Sequence, residues 1–300
     1  MKILITGGTG FVGTWLSTFL LARRHHVVAV GRRPTQNAVD HKRFRYISAD
    51  TTHPGAWQNE IASCDLIINL AGRTIFKRWT PSYKTQIIDS RILTTRHVVQ
   101  AIPQDAETVL ISASAVGYYG ERGEDVVAEG QPAGNDFLAD VCRRWETEAF
   151  KANEKGIRVV TSRFGIVLGR HGGALQKMMS AFRAFVGGPM GSGRQWFPWI
   201  HLEDLASAIL FAATAPSVNG PLNFCSPNPV RNRELADVLG DLLNRPSFMP
   251  TPAFMLRLAM GEFGDSLLAS IRAVPEGLLS KGFDFKFPDI REALQNLISD

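Results

Sequence analysis

The segment Gly7-Gly8-Thr9-Gly10-Phe11-Val12-Gly13 constrains this chain more than any other. It follows an apolar run, residues 2–6, that reads as a β-strand, and it opens a stretch, residues 12–24, with the apolar spacing of a helix. Glycines at 7, 10 and 13 in a strand-to-helix turn suit a dinucleotide. Gly7 and Gly10 leave the turn and a pyrophosphate free of a Cβ, Gly10 being also the candidate for positive φ, and Gly13 lets the helix pack closely on the strand. The first N–H groups of the helix then face the phosphates, with Thr9, Phe11 and Val12 in the same turn. A tight turn with no ligand would use the same glycines, so the surrounding pattern has to decide.

That pattern is βαβ. Short, almost purely apolar runs at residues 27–30, 45–48, 66–71, 109–114 and 158–165 alternate with helical stretches at 82–102 and 135–155, the first of these starting at Thr80-Pro81-Ser82. The reading is an α/β, Rossmann-type doubly wound parallel sheet with a smaller C-terminal substrate-side region. Beyond Gly165 the regular sheet is not expected to continue. Glycine-rich loops at 169–173 and 187–193 flank a helix over 174–186, and further helices are expected over 203–215 and 232–243. Pro250-Thr251-Pro252 marks a boundary, giving a domain over 1–250, with substrate-side insertions at about 166–200 and 220–250, and a unit over 251–300. The latter is expected to hold helices at 254–260, near 265–273 and from Asp289, a turn at Pro275-Glu276-Gly277, and Phe283-Asp284-Phe285 as its own core. About 50 residues bury too little apolar area to stand alone, so this unit should dock on the main domain.

Mean hydropathy is −0.03, and the longest apolar stretches fall short of the roughly 18–20 residues a membrane span needs. Residues 3–6 are too short for a secretory h-region, and Cys64, Cys142 and Cys225 show neither CxxC nor metal-ligand spacing, so a reduced, cytoplasmic protein without a metal site is expected. The first hundred residues carry 14 Lys+Arg against 5 Asp+Glu, a surplus of +9 that suits an anionic small molecule. With no long basic run and no aromatic RNA-binding box, a nucleic-acid partner is not expected.

About 20 residues past the glycines an acidic side chain would select NAD by binding the adenosine ribose hydroxyls. Gly31-Arg32-Arg33 stands there instead. A guanidinium binds a 2′-phosphate bidentately and stacks on adenine, so Arg32 and Arg33 favour NADP(H), unless they are simply a solvated pair with Lys42 or Arg43 serving instead.

The glycine spacing, Asn69-Leu70-Ala71-Gly72, Ser112-Ala113-Ser114 leading to Tyr119-Gly120, and Trp199-Ile200-His201-Leu202-Glu203-Asp204-Leu205 together resemble the extended short-chain dehydrogenase/reductases of nucleotide-sugar epimerase type. Tyr118-Tyr119-Gly120, residues 191–195 and the Lys281 to Phe285 element narrow the resemblance to the atypical "epimerase family protein" subgroup, over essentially the whole chain. By that resemblance Leu70, Ala71 and Gly72 lie under the cofactor's phosphate and ribose, Asp50 and Thr51 near the adenine, and Arg163 among the cofactor contacts. Ser114 would bind the substrate oxygen beside the nicotinamide, with a strand-terminal hydroxyl as the plainer alternative.

One departure matters. Such enzymes use Tyr-x-x-x-Lys on a helix, yet the residues four on from Tyr46, Tyr83, Tyr118 and Tyr119 are Asp50, Ile87, Arg122 and Gly123, and Phe137 with Val141 occupies the expected helix. The groups left for proton transfer are Tyr119, then Tyr118, then His201, each of which would equally serve in packing or hydrogen bonding. Arg73, Lys77 and Arg78 beside Trp79, and Arg194 with Trp196 and Trp199, suit a phosphorylated or nucleotide-linked small molecule, or else form solvated loops over packed tryptophans. Two functions remain open: an NADP(H)-dependent oxidoreductase or epimerase-like enzyme with altered proton chemistry, and a non-catalytic NADP(H)-binding sensor. A homodimer is compatible with either.

Overall fold

Every apolar run of the first half becomes a strand of one parallel sheet in the computed structural model, which describes residues 1–299; Asp300, the last residue of the expected C-terminal unit, lies outside the described residues. The strands β1 (Lys2–Thr6), β2 (His26–Gly31), β3 (Phe44–Ser48), β4 (Leu66–Asn69) and β5 (Val109–Ala115) are joined by Arg158–Phe164 and Gly220–Phe224. Across the sheet the order is Gly220–Phe224, Arg158–Phe164, β5, β4, β1, β2, β3. After β3 the chain crosses to the far side of β1, so β1 is flanked by β2 and β4. In such sheets the ligand crevice opens at the carboxyl ends of the strands where the winding reverses, here between β1 and β4.

Alternation along each strand sends side chains to two faces. Ile3, Ile5, Ile68 and Val160 pack under α1 (Phe11–Ala22) and α5 (Leu202–Thr214) through Leu16, Leu20, Leu205 and Ile209. Leu4, Ile67, Leu110 and Val159 pack under α2 (Pro81–Ala101) and α3 (Phe137–Phe150) through Val98, Val99 and Ala149. Thr80 caps α2 by accepting the Tyr83 N–H, with Pro81 in the first turn where its missing donor costs nothing. Among the described residues no helix is long and apolar enough to cross a membrane.

The sheet does continue past Gly165, contrary to expectation. Gly220–Phe224 pairs in parallel with Arg158–Phe164 as an edge strand, and its opening Gly220-Pro221 reads as loop because proline in a sheet is tolerated at edges and strand starts. Helices α4 (Gly173–Arg183), α6 (Asn232–Leu243) and α7 (Ala253–Met260) lie close to their expected positions. The helix expected near 265–273 is instead α8 (Glu262–Leu268), and Arg272–Ala273 turns extended to pair with Val126–Val127. After α9 (Glu276–Ser280), Phe283 and Phe285 do not form a separate small core. They are 8% exposed and join the α5 side of the main core, Phe283 packing on Phe211 at 5.4 Å. The last helix, α10 (Ile290–Ile298), is capped by Asp289 and packs Ala293, Leu294 and Leu297 against Leu235, Ala236 and Leu239 of α6.

Candidate functional site

The glycine turn is built around Gly7. Its φ is +69°, and a Cβ there would meet the backbone of Leu70 and Ala71 at 3.0 Å, so the loops after β1 and β4 touch directly. Gly10, expected to need positive φ, instead has φ −79° as the N-cap of α1, and a Cβ on it would meet only the Gly7 carbonyl, at 3.2 Å. At Gly13 a Cβ would lie 2.5 Å from the Gly7 oxygen, which makes this glycine a helix-on-turn contact rather than helix-on-strand. Neither a side-chain cap nor an acidic residue occupies the first turn of α1. Its N–H groups are left for an anion. The side chains of Phe11 and Val12 are packing elements, Phe11 lying against Gly169, Gly172 and Gly173.

At the β2 end, Arg32 and Arg33 are exposed and without a carboxylate in ion-pair range among the described residues. Tyr46, noted in the sequence only for lacking a lysine four residues on, organises them. Its hydroxyl lies 2.6 Å from the Arg33 carbonyl and 2.8 Å from that of Gly31, while a Cβ on Gly31 would meet Thr9 Oγ1 at 2.6 Å. Asp50 is exposed beside this group. Partial burial opposes its ionisation, but the Thr52 hydroxyl and amide and the Arg32 charge outweigh it and hold the carboxyl below its ordinary value. Thr51 faces inward, its hydroxyl 2.9 Å from that of Thr94.

The β4 end is fastened from below. Asn69 accepts from Thr6 Oγ1 and donates to Thr95 and Ser112, which leaves Leu70, Ala71 and exposed Gly72 to form the crevice floor.

Three residues expected near the cofactor or substrate are consumed by a buried polar network instead. Ser114, 3% exposed, donates to Glu146 Oε1 at 2.7 Å. Glu146 is held in a two-point ion pair by Arg163, with Nε–Oε1 and Nη2–Oε2 both 2.8 Å. The remaining Nη1 of Arg163 donates to the Tyr119 hydroxyl and the Glu129 carbonyl, each at 3.0 Å. Tyr119 is wholly buried, donates to Asn223 Oδ1 at 2.7 Å, and is pushed up to about 12 by burial despite Arg163. Arg163 therefore neutralises an internal carboxylate, and the Tyr119 hydroxyl is committed to Asn223 and Arg163. Tyr118 differs: half-buried, it lays its ring on the Arg163 guanidinium at 3.5 Å. Glu146 carried no sequence signal, because a glutamate on a helix normally reads as solvated.

His201 caps α5, its Nδ1 accepting the Glu203 N–H at 3.1 Å, and stacks on Phe287 at 4.0 Å. Burial pushes it down to about 4. The unfolded chain then binds this proton first as pH falls, so the stability this histidine confers is complete above about 6.5 and drains away toward pH 4, by up to roughly 3 kcal/mol. Urea denaturation of His201→Asn, which keeps a capping side chain, should show a shallower loss of stability over that window than the parent; equal slopes would clear His201 of the effect.

Trp79 is packed beneath the basic loop, against Phe137 at 5.1 Å and Phe263 of α8 at 5.4 Å. Phe137 thus stands in an apolar cluster. Trp196 lies between the guanidinium groups of Arg231 and Arg272, at 3.9 and 4.4 Å, and Trp199 is buried with its Nε1 donating to the Asn228 carbonyl.

Residues 3–224 match the NAD dependent epimerase/dehydratase family, and residues 251–297 match a domain of unknown function, DUF1731. The chain is 40% identical over 302 residues to the Arabidopsis thaliana "Epimerase family protein SDR39U1 homolog, chloroplastic", spanning 99% of this chain and 87% of that protein. Human epimerase family protein SDR39U1 (isoform2), crystallised with NADPH, superposes with a TM-score of 0.87 at 32% identity over 99% of both chains. A nucleoside-diphosphate sugar epimerase from Corynebacterium glutamicum gives 0.80 at 30% identity over 99% of this chain and 58% of that one.

Proposed function

Because the chain belongs to the NAD dependent epimerase/dehydratase family, we propose that it binds NADP(H) and acts as an epimerase-like oxidoreductase on a phosphorylated or nucleotide-linked small molecule. The observation that carries the cofactor half is the uncapped start of α1 at the sheet's winding reversal, with two arginines, unpaired among the described residues, where an acid would select NAD. The human relative crystallised with NADPH supports the same choice. In this reading the α1 turn holds the pyrophosphate, Arg32 and Arg33 the 2′-phosphate, Asp50 the adenine side, and Leu70 to Gly72 the ribose on the nicotinamide side. The nicotinamide would give or take hydride. Residues 1–250 carry the cofactor and 251–300 close the substrate side.

Calorimetric titration should give NADPH at least about tenfold tighter binding than NADH, a difference of about 1.4 kcal/mol. Arg32→Asp should erase most of that preference. Equal affinities in the parent protein would remove the assignment.

For proton transfer, Tyr118 is the candidate phenol that meets the internal network through its ring on Arg163 rather than through its hydroxyl. A second reading, a non-catalytic NADP(H) sensor, is favoured by one arrangement: Ser114 and Tyr119 spend their hydroxyls internally while Phe137 stands where the family's tyrosine is expected. Oxidation of bound NADPH on exposure to carbonyl and sugar-nucleotide panels supports the enzyme; none, with NADPH-dependent capture of a partner protein, supports the sensor.

A further inference from the structure

Arg91, on α2, extends to the carboxyl end of β4 and lies directly beneath Gly72. A Cβ on Gly72 would sit 3.1 Å from its guanidinium carbon, so a larger residue there would push the guanidinium aside. Gly72 is exposed and Arg91 half-buried, and the guanidinium lies against Gly72, one residue from Ala71, whose backbone abuts Gly7. Trp145 supports the group from below at 5.1 Å.

The charge of Arg91 is not balanced by a carboxylate among the described residues. Its Nη1 donates to the carbonyls of Arg73 and Ile87, both at 3.1 Å, and Nε and Nη2 have no protein acceptor among the described residues. No carboxylate lies in ion-pair range of Arg91 among those residues. Burial pushes its pKa down to about 10, so it stays protonated at neutral pH. Arg73 and Lys77, on the same rim, likewise lack an ion-pair partner among the described residues and lie near the Tyr83 ring, at 5.7 and 5.8 Å. A partly desolvated guanidinium with two free donor nitrogens and no counter-ion is costly to keep unless a ligand supplies the anion.

The cofactor does not supply it in the arrangement proposed above. The pyrophosphate is bound at α1, on the opposite face of the sheet from α2, and the 2′-phosphate lies beyond β2. What spans β4 and β5 is the nicotinamide and its ribose, which carry no negative charge. Resting on that cofactor reading, we propose that Arg91 is a specificity-determining residue that receives an anionic oxygen group of the substrate, a carboxylate or a phosphoryl group, beside the nicotinamide.

The test uses NADPH-saturated full-length protein, in which the α1 turn and Arg32–Arg33 are already filled. Acetate and methyl phosphate are titrated separately at constant ionic strength against a chloride control, and the unfolding temperature is followed. Saturable stabilisation by acetate alone identifies a carboxylate, and by methyl phosphate alone a phosphoryl group; both together identify a general oxyanion site. Arg91→Gln should weaken that binding tenfold or more while changing NADPH affinity less than twofold. Arg91→Lys, which keeps the charge but loses the two-nitrogen fork, serves if the glutamine variant fails to fold, with at least a threefold loss expected. The proposal is overturned if neither anion stabilises the NADPH-bound protein, if the substitution leaves anion binding unchanged, or if NADPH affinity falls as far as anion affinity. Failure of the parent protein to bind NADPH at all is detected before any anion is added and overturns the cofactor reading together with this one.

Discussion

Arg163→Met should destabilise the protein by about 4 kcal/mol, within the 3–5 kcal/mol typical of breaking a buried ion pair from one side. Arg163 and Glu146 are 3% and 5% exposed, so removing the guanidinium strands a carboxylate whose other side-chain donor is Ser114. Two further acceptors, the Tyr119 hydroxyl and the Glu129 carbonyl, lose a donor at the same time. Urea denaturation measures the loss. The double variant Arg163→Met/Glu146→Leu should recover much of it, because deleting both ions also deletes the desolvation cost that either alone incurs. A single variant within about 1 kcal/mol of the parent would mean that the pair is not the buried clamp described here.

Gly10→Val should abolish NADPH binding, by a hundredfold or more, in a protein that still folds. The backbone at Gly10 has φ −79° and ψ 175°, which valine adopts readily, and its Cβ would face only the Gly7 carbonyl at 3.2 Å. The two added methyls instead project over the uncapped start of α1, where a pyrophosphate would lie. Gly7→Val provides the contrast. With φ +69° and backbone atoms of Leu70 and Ala71 at 3.0 Å, it should fail in folding rather than in binding alone. Circular dichroism and calorimetry separate the two. Near-parental NADPH affinity in a folded Gly10→Val protein would move the cofactor away from this turn.

The parts of the molecule legible in the sequence are those governed by neighbours in the chain. The apolar runs that became β1 to β5, the helix spacing of α1, α2 and α6, the glycine turn between β1 and α1, and the arginine pair after β2 each depend on the local pattern of a dozen residues or so. That is why the sheet class could be read from the sequence. The tertiary structure alone decided which polar groups are free and which are spent. Tyr119 finds Asn223 across 104 positions, Ser114 finds Glu146 across 32, and Tyr46 reaches back 13 to Arg33. Ser114 and Tyr119, candidate catalytic groups, and Arg163, a candidate cofactor contact, are thus seen bonded to one another's network, and Arg91 became visible as a cation without a counter-ion among the described residues. Phe283 and Phe285 likewise left an expected small core for the main one once α5 was seen beside them. Periodicity reports whether a side chain faces inward. The partner it meets there is set by how distant segments close on one another, and a buried polar group's chemistry depends on that partner because desolvation makes each of its hydrogen bonds obligatory.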